Sequence, residues 1–209
     1  MAHQISAILL AAGESRRMGQ PKMLLPWGET SVLGQVVSMF SAALSSKADQ
    51  RIDPDNEILV VTGGARALVE AELVWLAEQY PLRMVYNPNY ASSGMVSSIQ
   101  AGLLELGPES RAALIGLGDQ PQVRADTIKH ICSTFVQTGS PLVIPSYQNR
   151  RGHPWLAAKP LWPELLALPS SANPRQFLDA HARQIEYVAA DESILQDLDT
   201  PEDYNRQRP

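Results

Sequence analysis

Three cations stand close together near the N-terminal end of the chain: Arg16, Arg17 and Lys22, with Glu14 as the nearby acid. They follow Ala11-Ala12-Gly13, residues small enough for a ligand to lie against the main chain. Ahead of these, Ile5 to Leu10 is an apolar run broken only by Ser6, which predicts a buried first strand. A tight turn with clustered cations at the end of such a strand suits a triphosphate, because backbone amides and charged side chains share the neutralisation of phosphate oxygens. The turn is not a P-loop, since Lys22 lies between Pro21 and Met23 instead of within Gly-Lys-Ser/Thr. Nor is it a dinucleotide-binding turn, which needs three spaced glycines where only Gly13 and Gly19 occur.

A second group is acidic. The apolar run Ala112 to Leu117 ends in Gly118-Asp119-Gln120-Pro121. A carboxylate at the tip of a buried strand is costly unless a cation or metal pairs with it. Capping of the next helix is a poor alternative, because Gln120, Pro121 and Gln122 lie between Asp119 and the helical pattern that begins near Arg124. Asp119 therefore reads as a hard-oxygen ligand for Mg²⁺, an ion that takes carboxylates together with substrate phosphates. Asp197 and Asp199 lie two apart and share a face if the chain there is extended. Thr200-Pro201-Glu202-Asp203 has the composition of a helix start, so Thr200 reads as a cap whether or not Asp199 is a ligand.

Two further loops carry polar groups. Ser92, Ser93, Ser97 and Ser98 surround Gly94 just before an apolar helical pattern. Hydroxyls and free amides there hold a ribose, base edge or phosphate, or simply cap the helix. Arg150, Arg151, Gly152 and His153 form an exposed loop suited to an anionic substrate, with packing or a helix start as the alternative for His153.

These residues need a scaffold. Leu33, Val36, Val37, Phe40 and Leu44 form one apolar stripe, predicting a helix over Ser31 to Leu44. Ser45 to Glu57 reads as an exposed polar connection. Further strands are expected over Ile58–Thr62, Leu82–Tyr86, Ala112–Leu117, Pro141–Pro145 and Gln184–Ala189. Helices are expected over Ala65–Gln79, Val96–Leu106, Asp126–Thr138, Leu161–Leu168 and Pro174–Ala182. This alternation predicts an α/β protein, three-layered and Rossmann-like, with a mainly parallel sheet and helices on both faces. Ligands of such sheets lie beyond the carboxyl ends of the strands, where Thr62-Gly63-Gly64 also falls. A length of 209 residues without repeats fits a single domain over 1–209.

A net charge of -5 argues against a nucleic-acid binder and makes the basic loop more distinctive. The single cysteine, Cys132, cannot form an internal disulfide and reads as a packing residue. With no signal peptide or run of membrane length, the expectation is a cytoplasmic protein with no membrane partner. No G-x-S-x-G or Cys-His pair offers a side-chain nucleophile, and no flavin or nicotinamide fingerprint is present.

From Leu10 to Pro26 the chain reads L-A-A-G-E-S-R-R-M-G-Q-P-K-M-L-L-P. This resembles the molybdenum cofactor cytidylyltransferase family, whose pattern is L-A-A-G-x-S-x-R-M-G-x-P-K-x-L-L-P. The same resemblance extends to Gly94-Met95-Val96-Ser97-Ser98, with Val96 where relatives often have glycine, and to Gly118-Asp119-Gln120-Pro121. It continues in the R-x-G-H-P element ending at Pro154 and in Asp197-Leu198-Asp199-Thr200-Pro201-Glu202-Asp203.

The resemblance implies a Mg²⁺-dependent nucleotidyltransferase that moves CMP from CTP to the phosphate of the molybdenum cofactor (molybdopterin), releasing pyrophosphate. It assigns the nucleotide to Leu10, Ala11, Ala12, Gly13, Ser15, Arg16, Arg17, Lys22, Gly63, Ser97, Ser98 and Asp119. Arg17, Lys22 and Asp119 would be catalytic, Asp119 and Asp199 would hold Mg²⁺ with Asp197 as the second candidate, and Arg151 and His153 would bind the acceptor. Ala12 matches the L-A-A-G of cytidylyl enzymes, where guanylyl relatives have L-A-G-G. A molybdenum hydroxylase or its maturation chaperone is the recipient the resemblance suggests. Two rival readings stand beside it: another sugar- or alditol-phosphate nucleotidyltransferase, or a non-catalytic carrier serving molybdenum hydroxylase maturation.

Overall fold

The computed structural model describes residues 4–45 and 56–209. Met1 to His3 and most of the connection expected over Ser45–Glu57 lie outside the described residues. The organising strand is β1 (Ile5–Ala11), buried along its whole length. It pairs in parallel with β4 (Ile58–Thr62) on one side and β6 (Ala112–Leu117) on the other. β5 (Leu82–Tyr86) continues the sheet beyond β4 as its edge. On the far side the order runs β6, β9 (Trp155–Ala158), β7 (Leu142–Tyr147) and β10 (Ile185–Ala189). A small separate ribbon joins β2 (Pro26–Trp27) to β3 (Thr30–Ser31).

Side chains alternate across a strand, so β1 feeds two cores. Ile5, Ala7, Leu9 and Ala11 face one layer, formed by α1 (Val32–Leu44), α2 (Arg66–Ala77) and α4 (Ala125–Thr138). Ile8 and Leu10 face the other, formed by α3 (Met95–Glu105), α5 (Trp162–Ala167) and α6 (Pro174–Ala180). A three-layer α/β arrangement with a mainly parallel sheet is therefore observed as expected. The stripe read in α1 is buried through Leu33, Val36, Val37, Phe40 and Leu44. Ser31 caps this helix by accepting from the Gly34 amide at 2.9 Å. Cys132 packs against the first core, and burial pushes its thiol pKa up to about 12, in keeping with a packing role.

The structure departs from the expected pattern between Tyr147 and Ala158. A two-residue hairpin joins β7 to β8 (Arg150–Arg151), with positive φ at both Gln148 and Asn149. Such angles match the strand twist that short hairpins need. The chain then returns as β9, antiparallel to both β6 and β7. Trp155 to Ala158 carries no alternation of apolar and polar residues, because both faces are covered and all four residues are buried. Its sequence therefore carries no strand period, and none of the expected strands covers it. The C-terminal helix α7 (Pro201–Gln207) begins at Thr200 in a capping box with Asp203, as read.

Close packing between α3 and β1 rests on Gly102. A Cβ built there would lie 2.5 Å from Ile8 Cγ2 and 3.0 Å from Ile8 Cδ1. Gly102→Ala gains helix propensity but overpacks the core, so a net loss of about 1–2 kcal/mol is expected. Urea unfolding should show a lower midpoint with unchanged slope.

Candidate active site

The loop after β1 is held by its apolar residues. Met18, Leu25 and Trp27 are buried with Val32 and Leu198 in a small third core, while Met23 enters the main one. Ser15 adopts a left-handed backbone, and its hydroxyl accepts from the Lys22 amide at 3.1 Å, closing the loop. Gly19 supplies a second left-handed position, which its missing Cβ makes inexpensive. Lys22 is thereby aimed inward, and only 10% of its side chain is exposed.

Its ammonium meets two carboxylates from distant segments. Asp119, just beyond β6, lies 2.5 Å from Lys22 Nζ, and Asp199 lies 3.2 Å away. Arg17, 70% exposed, reaches the other oxygen of Asp199 at 2.8 Å. Asp119 is positioned because the Gly118 amide donates to the Leu10 carbonyl at 3.0 Å, tying the end of β6 to β1. Asp199 is positioned because its neighbour Leu198 is fully buried in the third core. Tyr204 fastens the same segment by donating to the Pro26 carbonyl at 2.5 Å. Gln120 donates to Asp197 at 2.9 Å and Gln122 to the Gln196 carbonyl at 2.5 Å, so the Gly118–Gln122 turn and the C-terminal segment are laced together.

These charges shift one another. Burial pulls the Lys22 ammonium down, but Asp119 and then Asp199 overcome it, and its pKa stands above the ordinary lysine value. Loss of water raises Asp197 above the usual aspartate range; the Gln120 hydrogen bond opposes this, and the charges of Asp119 and Asp199 reinforce it. Asp197 therefore bonds to Gln120, whereas Asp199 shares a cation with Asp119.

Two clefts meet at these carboxylates. One, of about 420 Å³, is lined by Gly13 to Met18, Lys22 and Ala91. The other, of about 1040 Å³, is lined by residues that include Trp155, His153, Arg150, Arg151, Arg175 and Tyr187. Asp119 and Asp199 line both. The pleat of β9 brings His153 here: Trp155 pairs with Ile115, which sets the residues before β9 beside the end of β6. Burial lowers the His153 pKa to about 4; the Ile115 backbone and Asp119 oppose the shift, and Arg175 adds to it.

Of the residues singled out from sequence, Gly13, Ser15, Arg16, Arg17, Lys22, Asp119 and Asp199 line the smaller cleft. Arg16 is paired with Glu14 at 2.5 Å. Leu10, Ala11 and Ala12 are buried framework, with the Ala12 carbonyl accepting from the Gly64 amide at 2.9 Å. Gly63 is a packing glycine, since a Cβ there would lie 2.7 Å from Ala12 Cβ and 2.6 Å from Tyr90 Cβ. Ser97 and Ser98 are not brought to either cleft. They are buried and accept from the Asn87 amide at 2.9 and 3.0 Å, fixing the start of α3 to the end of β5. Arg151 lines the larger cleft but is bound to Tyr187 and Asp179 at 2.8 and 2.5 Å. Arg175 was missed by sequence reading, because it stands within a helical pattern with no motif around it.

The model of the MobA-like NTP transferase domain matches residues 7–185. The chain belongs to this family. It is 28% identical over 203 residues to the molybdenum cofactor cytidylyltransferase of Escherichia coli, covering 96% of this chain and 93% of that one. It is equally 28% identical to purine catabolism protein PucB of Bacillus subtilis, over 96% and 94% of the two chains. Among solved structures, Rv0371c from Mycobacterium tuberculosis superposes with a TM-score of 0.78 at 26% identity, covering 99% and 98%. A manganese complex of that protein gives 0.71 at 24% identity over 97% of each chain. The three cations of the small cleft, Arg16, Arg17 and Lys22, are each paired with one of its carboxylates, Glu14, Asp119 and Asp199. Among the described residues no group of three or more His, Cys, Asp or Glu side chains is arranged to hold a metal alone. Among them, too, no helix is long and apolar enough to cross a membrane.

The neutral His153 gives a pH prediction. Above pH 6.5 the imidazole is uncharged in both folded and unfolded chains. As pH falls from 6.5 towards about 4, the unfolded chain takes up a proton the folded one refuses, so stability drops across that window. His153→Gln should flatten this decline, read as urea midpoints at pH 7, 5.5 and 4.5.

Proposed function

We propose that this protein is a cytoplasmic nucleotidyltransferase that transfers CMP from CTP to the phosphate of molybdopterin, with release of pyrophosphate. The observation that carries the reading is the junction of two clefts at Asp119 and Asp199, with Lys22 between the carboxylates. The smaller cleft would take the triphosphate, with Gly13 presenting main chain and Arg16, Arg17 and Lys22 presenting charge. The larger one has room and aromatic wall for a heterocyclic acceptor such as a pterin. The relative from Escherichia coli, named a molybdenum cofactor cytidylyltransferase, supports the choice of acceptor and nucleotide.

The donor set suits a divalent cation. Asp119 and Asp199 offer hard oxygens within reach of one common point, now held by the Lys22 ammonium, and substrate phosphates would complete the shell. Mg²⁺ bound there would polarise the α-phosphate and screen its charge from the incoming acceptor. A phosphate acceptor is already a nucleophile, so no side chain need supply one. The chain's task is to bring two anions into line. Lys22 and Arg17 would turn from the carboxylates to the β- and γ-oxygens and stabilise the pyrophosphate as it leaves.

Pyrophosphate release should be measured with CTP, GTP and ATP, with and without molybdopterin. Release with CTP that depends on molybdopterin is expected, abolished by EDTA and restored by Mg²⁺. Asp119→Asn should lower the rate by roughly 10²–10³, the usual loss for one preorganised charge. Release with a sugar or alditol phosphate instead would reassign the acceptor. Nucleotide binding without release under any condition would mark a carrier.

A further inference from the structure

The larger cleft holds four aspartates, Asp119, Asp179, Asp197 and Asp199, so an anionic acceptor entering it needs a local cation. Three arginines line the same cleft: Arg150, Arg151 and Arg175. Arg151 is already engaged. Its Nε donates to the Tyr187 hydroxyl at 2.8 Å and its Nη1 to Asp179 at 2.5 Å. These bonds hold its guanidinium above the ordinary arginine value against the effect of burial, so it braces β8 against β10 and α6. Arg150 and Arg175 are different: among the described residues neither has an ion-pair partner. Arg175 is also the arginine whose charge reaches His153, and His153 in turn feels Asp119. On the same wall, His153 Nδ1 is buried without a hydrogen-bond partner among the described residues. Of these two cations, Arg175 stands on α6 and lines the cleft together with His153 and Asp119, outside every sequence motif.

We infer that Arg175 recognises the anionic group of the acceptor, with Arg150 as an auxiliary cation and Arg151 as a positioning residue that shapes the wall. This rests on reading the larger cleft as the acceptor site. The guanidinium fork of Arg175 fits two oxygens of a phosphate monoester at once, which a lysine ammonium does not. The acceptor class it selects is a phosphorylated heterocycle in preference to the unphosphorylated ring.

Equilibrium titration tests this without nucleotide or turnover. The probes are a fluorescent pterin carrying one phosphate ester and the same pterin lacking it. The wild-type protein should prefer the ester. Arg175→Ala should lose roughly tenfold or more in affinity for the ester and little for the bare pterin, the scale of a lost charged hydrogen bond. Arg175→Lys should fall between, and Arg183→Ala, which removes an exposed charge outside this cleft, should match the wild type. The inference is overturned if the wild type shows no preference for the ester, or binds neither probe. It is equally overturned if Arg175→Ala leaves that preference intact or weakens both probes alike. If selectivity follows Arg175 but no pyrophosphate is released with molybdopterin, the proposed reaction falls and the subsite stands. If release occurs and selectivity ignores Arg175, the reverse holds.

Discussion

One ammonium between two carboxylates is the constraint on which the site depends. Lys22, Asp119 and Asp199 come from the first loop, the end of a central strand and the C-terminal segment. Two aspartates held this close would repel each other without a shared cation, and the mostly buried Lys22 would be costly without them. Each group makes the others tolerable, so the three segments assemble together. The apolar residues beside them serve that meeting: Leu198 is buried against Met18, Leu25 and Trp27, which fixes the C-terminal segment to the loop.

The same arrangement is what the proposed meeting of two anions would draw on. The Lys22 ammonium is largely withdrawn from water and compensated by Asp119 and Asp199, while Arg17 remains exposed beside it. In the proposed reaction, phosphates would take the place of the carboxylates beside Lys22 and Arg17, and a divalent cation would take the place of those cations beside Asp119 and Asp199. The sheet supplies the division of labour. Parallel β1 and β6 end side by side and bring the basic loop next to Asp119. Antiparallel β9 starts beside the end of β6 and runs back along it, so the residues that lead into β9 supply a second wall. Two clefts with one shared pair of carboxylates are the geometric result.

Much of this was legible in the residues themselves. Alternating apolar runs and amphipathic stretches marked the parallel strands and the helices on both faces, because burial on one side leaves a period in the sequence. The basic loop and Asp119 stood out because charge at the end of a buried strand demands a partner. Ser97 and Ser98 show where local pattern leaves two outcomes open. A serine near a helix start can face a ligand or the interior, and here Asn87 takes both hydroxyls inside.

By itself, then, the sequence determined the fold class, the cationic loop and the carboxylates that answer it, all of which are set by local pattern and by the cost of unpaired charge. Tertiary structure decided three other things: which carboxylate shares the lysine, which arginine of the larger cleft is engaged, and that Trp155–Ala158 is a strand. Asp199 pairs with Lys22, whereas Asp197 is held by the Gln120 side chain. Arg151 is taken by Asp179 and Tyr187, whereas Arg175 and Arg150, which line the same cleft, have no ion-pair partner among the described residues. Each of these outcomes is a competition between partners far apart along the chain, and local pattern holds no record of who wins it.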